Sequence, residues 1–223
     1  MIPIKDDTPT HTFPYVTISI IVINVLVFFY QLTLGSRGLE LFIYRTAVIP
    51  YEIAHLVDTG PPGILPPPFT LLSAMFVHGG LLHVGGNMLF LWIFGDNIED
   101  TLGHLKFIVF YLFIGLLASL AHILIDPDST MPMVGASGAV AGVLGAYFML
   151  FPRAQVLTLV FLIFFVTIVR VPAVFFLGFW FLIQVLSSGA GGGIAWFAHI
   201  GGFVVGAGAI LLLKPKRRRR IFH

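Results

Sequence analysis

The chain contains no cysteine, which excludes disulfides, thiolate metal ligands and a cysteine nucleophile. Charge is scarce as well. Only 10% of the 223 residues are Asp, Glu, Lys or Arg, against about 25% in soluble domains. Hydrocarbon takes its place: 58% of the residues are hydrophobic and the mean hydropathy is +1.00. An ordinary soluble enzyme is thereby excluded. The fold class implied is an all-α polytopic membrane protein with no room for a second soluble domain. No cleaved signal is expected, since Asp6 and Asp7 interrupt residues 1–13 and the first apolar run reads as a retained span.

The charge that is present is unevenly placed. Six of the twelve Lys and Arg residues fall in Lys214-Pro215-Lys216-Arg217-Arg218-Arg219-Arg220. Residues 1–213 are expected to form one membrane domain, and residues 214–223 a basic cytoplasmic tail. Such a tail marks the cytoplasmic face and touches anionic membrane lipid; a nucleic-acid partner is not expected.

A spanning helix needs roughly 20 apolar residues. Spans are predicted at about 15–34, 81–94, 105–125, 134–151, 171–186 and 195–213. The long first loop, about 35–80, is rich in proline (Pro61, Pro62, Pro66, Pro67, Pro68) but keeps apolar patches, so it is expected to lie partly in the membrane. The run 156–187 is ambiguous. Its first part, 156–169, is short for a span and rich in Val, Ile, Thr and Phe, which suits a partly buried loop or hairpin. With six spans both termini share the cytoplasmic side. Lys106, Arg153 and Arg170 then fall inside, while Asp126 and Asp128 fall outside.

Reactive polar groups are costly in hydrocarbon and are seldom there without a use. In the six-span count His83 and Asn87 open span 2, Ser137 opens span 4 and His199 lies near the start of span 6. At about 1.5 Å per residue all four reach one depth near the outer face. A seventh span at 156–169 would move His199 to the opposite face. Ser137 with His199 reads as a nucleophile and its base. A helix N-terminus offers Ser137 the positive end of the dipole and free N–H groups. His83 and Asn87, four residues apart, share a helical face and can both donate to an oxyanion. The bland alternative for Gly135-Ala136-Ser137-Gly138 is a small-residue packing surface. Gly138, Gly142 and Gly145 in span 4, with Gly202 and Gly206 in span 6, predict close contact of those helices, which a serine–histidine pair needs. His78 could brace a loop or bind metal, but no His-Glu-x-x-His occurs and no carboxylate accompanies the histidines, so no metal or other cofactor is expected. Asn24, Gln31 and Gln184 are expected to form interhelical hydrogen bonds; Glu99, Asp100 and His104 are expected to stabilise the inner loop.

At these residues the chain resembles the rhomboid family of intramembrane serine proteases. The resemblance is carried by Gly135-Ala136-Ser137-Gly138, His83-Val84-Gly85-Gly86-Asn87, Ala198-His199 with Gly202 and Gly206, and the run from Met75 through His78 to His83. It implies a six-helix rhomboid-like bundle with Ser137 as nucleophile and His199 as general base. His83, Asn87 and the Ser137 N–H would form the oxyanion hole. It also implies endopeptidase cleavage of single-span or polytopic membrane-protein substrates near the outer face. The run Gly189-Ala190-Gly191-Gly192-Gly193 would be a cap, and span 5 a lateral gate. Two features depart from the family. Phe69-Thr70 stands where many rhomboids have Trp-Arg, so an arginine brace does not carry over. Ala141 stands where some members stack an aromatic on the histidine, so the resemblance names no group that orients His199. No acid lies in spans 4 or 6, and a dyad is expected. Two other readings stay open: a non-catalytic rhomboid-like protein that binds membrane clients, and a small transporter with His83 and His199 as proton carriers. A prokaryotic inner membrane is expected from the compact chain.

Overall fold

The computed structural model describes residues 1–59, 66–162, 165–189 and 193–213. The basic tail and the centre of the run 189–193, expected as a cap, lie outside the described residues. Nine α-helices and three strands follow one another among those described. Helix α1 (Tyr15–Thr33) leads into three short helices, α2 (Ser36–Thr46), α3 (Pro50–His55) and α4 (Pro67–Ser73), and a 3-10 turn at Ala74–Phe76. The expected first loop is therefore largely helical. Long helices α5 (Leu81–Leu102) and α6 (His104–Ile125) come next, then the shorter α7 (Ser137–Leu150), α8 (Ala173–Ser187) and α9 (Trp196–Leu212).

By length and apolarity α1 and α6 can cross a membrane. A third crossing is available if the segment Pro67–Phe76 and α5, bent by 79° at their junction, count together. The chain is a mostly helical integral membrane protein.

The ambiguous run after α7 is not a helix. Strands β2 (Gln155–Leu162) and β3 (Phe165–Pro172) form an antiparallel hairpin, and β1 (Ile2–Asp6) pairs with β2 to give the order β1-β2-β3. Register runs from Ile2 opposite Leu159 to Asp6 opposite Val156, and from Gln155 opposite Pro172 to Leu162 opposite Phe165. The composition explains the choice. Val, Ile, Thr and Phe fit a pleated strand better than a helix, and Pro152 and Pro172 close the helical options on either side. The third strand was beyond sequence reading, because residues 1–6 are too short to carry a period.

The N-terminal segment is tied to the bundle by polar contacts. The Tyr147 hydroxyl donates to Asp6, the Thr8 N–H donates to the same carboxylate at 3.2 Å, and Asn97 donates to the Thr8 carbonyl at 3.0 Å. The Thr12 N–H and hydroxyl donate to Asp100 at 3.0 and 2.7 Å. Glu99, fully buried, accepts from the N–H groups of Val16 and Thr17 at 2.9 and 2.7 Å and from the Thr17 hydroxyl at 2.7 Å. It caps the start of α1 from another helix, satisfying N–H groups that have no partner within α1. His104 Nδ1 reaches the same carboxylate at 2.6 Å. Asn24 departs from expectation: its amide donates back to the Ile20 carbonyl within α1 at 2.8 Å, so it links no second helix through that group.

Helices α7 and α9 approach at backbone distance. A Cβ on Gly202 would collide with the Gly138 carbonyl, one on Gly206 would lie 2.5 Å from the Gly142 Cα, and one on Gly145 would lie 2.9 Å from the Phe203 carbonyl carbon. Only glycine permits this spacing. Around the pair, Phe94, Tyr111, Ile114, Leu144 and Tyr147 are fully buried in one apolar core.

Candidate active site

Ser137 is the first residue of α7, and His199 stands one turn into α9. The glycine contact between these helices brings His199 Nε2 to 2.8 Å from Ser137 Oγ. The turn before Ser137 is held by the first-loop segment, through Val48 between α2 and α3 and through Ala74 in the 3-10 turn. Val48 and Met133 exchange two backbone hydrogen bonds at 3.0 and 2.8 Å, and the Gly135 N–H donates to the Ala74 carbonyl at 2.9 Å.

Gly135 has a left-handed φ of +123°, and a Cβ there would lie 2.7 Å from His83 Nε2. Glycine at this position meets two demands, an unusual backbone angle and a close imidazole. His83, in the first turn of α5, therefore presents its Nε2 edge to the Ser137 turn. The Gly79 N–H donates to His83 Nδ1 at 3.4 Å. That contact leaves Nε2 as the protonated nitrogen of a neutral ring.

Asn87, one turn further along α5, is buried, and its amide nitrogen has no hydrogen-bond partner among the described residues. It lines a cavity of about 1280 Å³ with His83, Ser137, Gln184 and His199. A buried donor without a partner costs about 1–3 kcal/mol, and an acceptor entering the cavity would offset that cost. The four residues singled out in the sequence thus share one cavity.

Three side chains that the sequence did not place at the site lie against His199, and one of them, Gln184, makes the interhelical hydrogen bond expected of it. Gln184 Oε1, from α8, lies 2.8 Å from His199 Nδ1. Trp180 and Trp196 flank the ring, with centroids 6.2 and 6.1 Å away. They supply aromatic contacts that Ala141 cannot. The available signal for Gln184 was its place as the one amide side chain in an otherwise apolar helix that turns polar again only at Ser187.

His78 braces the site and does not reach Ser137. Its backbone exchanges two hydrogen bonds with the Gln31 side chain, at 2.9 and 3.1 Å. Its ring accepts from the Ala136 N–H at 3.5 Å and stands edge-on to His83 with centroids 5.0 Å apart. Among the described residues, no three His, Cys, Asp or Glu side chains are grouped to share a metal ion. On α8, Phe175 and Phe179 are exposed, whereas Phe176 is buried and Phe181 packs on Phe203.

Residues 67–216 match the rhomboid domain, well over half of the chain. The chain is 33% identical over 148 residues to Rhomboid protein 1, mitochondrial, of Saccharomyces cerevisiae, covering 61% of this chain and 39% of the yeast protein. It is 34% identical over 149 residues to RHOMBOID-like protein 6, mitochondrial, of Arabidopsis thaliana, covering 66% of this chain and 44% of that protein. To the Rhomboid protease GluP of Bacillus subtilis it is 38% identical over 76 residues, 34% of this chain and 14% of that protein. The chain thus spans less than half the length of each of these relatives. With a matching domain over most of its length, the chain belongs to the rhomboid family.

Proposed function

We propose that this protein is an intramembrane serine endopeptidase that cleaves membrane-spanning segments of other proteins, with Ser137 as nucleophile and His199 as general base. The observation that carries the reading is the 2.8 Å contact between Ser137 Oγ and His199 Nε2 in a cavity shared with the unpartnered Asn87 amide. Membership of a family that includes a named protease, GluP, supports it.

The chemistry runs as follows. Ser137 Oγ attacks the substrate carbonyl carbon as His199 Nε2 takes its proton. Negative charge gathers on the carbonyl oxygen, facing the Asn87 amide, His83 Nε2–H and the N–H groups at the start of α7. The C–N bond breaks, and His199 returns the proton to the departing amine. Water then attacks the acyl-enzyme by the same route and frees Ser137.

The same reading gives α1, α5, α6, α7, α8 and α9 as six spans, with the β-hairpin and both ends of the chain on the cytoplasmic side. Helix α7, with 14 residues, is about 21 Å long against a hydrocarbon core of about 30 Å. A helix that short starts below the outer surface, and the cavity above it admits the water that hydrolysis needs. Substrates are single-span or polytopic membrane proteins, and lipid surrounds the bundle. The prokaryotic inner membrane draws no support from the relatives, two of which are named mitochondrial.

The test is a purified reporter substrate with one span, incubated with wild-type protein and with Ser137→Ala. A defined cut made by the wild type and absent in the variant is expected. Equal cutting by both would remove Ser137 from the mechanism.

A further inference from the structure

Among the described residues no acid faces the Ser137–His199 pair, yet the pair is not left unoriented. We propose that Gln184 is its positioning residue: the Gln184 side-chain carbonyl fixes His199 in the one neutral tautomer able to take the serine proton. The inference rests on the proteolytic reading above and names how its base is prepared.

Gln184 is one of only four buried residues in the fifteen-residue α8. Its amide nitrogen donates to the Trp180 carbonyl, one turn back, at 3.1 Å. A backbone carbonyl only accepts, so the NH2 end of the amide faces Trp180 and the oxygen end faces His199. That oxygen also only accepts, and it lies 2.8 Å from His199 Nδ1. Nδ1 must therefore carry the hydrogen. A neutral imidazole has one N–H, so Nε2 carries the lone pair and points at Ser137 Oγ, 2.8 Å away. Each link dictates the next, from the Trp180 carbonyl to the serine hydroxyl. Reversing the tautomer would give Nε2 a hydrogen and leave the serine with no base.

A neutral amide also suits this setting. When His199 takes the serine proton, Nδ1–H still donates to the Gln184 oxygen, so the imidazolium faces a dipole and no buried carboxylate has to be desolvated. Among the described residues the titratable groups that face His199 are His83 from α5 and His122 from α6, neither of them an acid. Trp180 and Trp196 restrict the ring from its sides. Position matters as much as identity. Hydrogen bonds weaken beyond about 3.2 Å, so a retreat of the carbonyl by one methylene, about 1.5 Å, breaks the link.

The experiment compares wild type with Gln184→Met, Gln184→Asn and Gln184→Glu by kinetics on the reporter substrate, by fluorophosphonate labelling of Ser137, and by nitrogen NMR of the His199 ring. Wild type is expected to show the Nδ1–H form. Met keeps the volume and lacks the acceptor, and Asn retracts it. Both are expected to lose about 100-fold in kcat, in the range of general base catalysis, with KM little changed and the ring shifted toward the Nε2–H form. Glu restores an acceptor at the same reach. It is expected to keep the Nδ1–H form and to move the acid limb of the pH–rate profile to higher pH, because a carboxylate stabilises imidazolium. Met and Asn variants within twofold of wild type with the Nδ1–H form retained would overturn the proposal. So would a loss of activity with the tautomer unchanged, which would make Gln184 a structural residue only. Undiminished cleavage by Ser137→Ala would instead remove Ser137 as the nucleophile, and the tautomer measurement would still stand.

Discussion

Replacing Gly206 by alanine tests how the dyad distance is set. The added Cβ would lie 2.5 Å from the Gly142 Cα. Carbon atoms in contact sit about 3.5–4.0 Å apart, so α7 and α9 must separate by about 1 Å at that level. Backbone atoms line both sides and no side chain can swing away. Helix α9 moves as a rod, and His199 lies two turns away on it. A displacement of similar size stretches the 2.8 Å contact to Ser137 beyond hydrogen-bonding range. Misplacement by about 1 Å can cost about 100-fold in rate, and overpacking of this kind typically costs about 1–3 kcal/mol in stability. The assay is cleavage of the reporter substrate in detergent, with a thermal melt on the same sample. Gly202→Ala, one turn from His199 and aimed at the Gly138 carbonyl, should follow the same direction. A Gly206→Ala protein that melts normally and cleaves within twofold of wild type would refute the link between helix spacing and dyad geometry.

On the proposed mechanism Asn87→Ala removes an oxyanion donor and should lower kcat by about 100- to 1,000-fold with little change in melting temperature, because the amide nitrogen has no partner to lose among the described residues. Glu99→Ala strips the cap from α1 and leaves the Val16 and Thr17 N–H groups without their acceptor; a loss on the order of 3 kcal/mol is expected, read by denaturant unfolding. Asp6 gives a pH dependence. Burial pushes its carboxyl above the ordinary 3.8, against the opposing hydrogen bonds from Tyr147 and Thr8. A raised folded pKa means that the native state holds this proton more tightly than the unfolded chain. Stability from Asp6 is therefore complete below pH 3.8 and is lost as pH rises through the raised value. Asp6→Asn should flatten that decline in unfolding free energy, and an unchanged slope would contradict the assignment.

Much of the site was legible because its residue types are conspicuous. A serine, two histidines and an asparagine in apolar helices stand out, and glycines at spacings of three and four announce a close helix contact. What escaped depended on partners distant in sequence. Gln184 resembles any interhelical glutamine until α8 is seen beside His199. The hairpin 155–172 could be weighed against a span only by length and composition, and its third strand comes from the opposite end of the chain. The run expected as a first loop holds α2, α3 and α4, whose prolines at Pro50 and Pro67 start helices, as proline at a first-turn position does. Asn24 was read as a link between helices, yet the nearest acceptor for its amide is its own helix.

The central claim is that Ser137 is a nucleophile activated by His199. It is tested most directly by reacting the folded protein with a fluorophosphonate probe and locating the adduct by mass spectrometry. One adduct is expected, on Ser137, absent in Ser137→Ala and strongly slowed in His199→Ala. Labelling that persists in Ser137→Ala, or no labelling of protein that cleaves the reporter substrate, would contradict it.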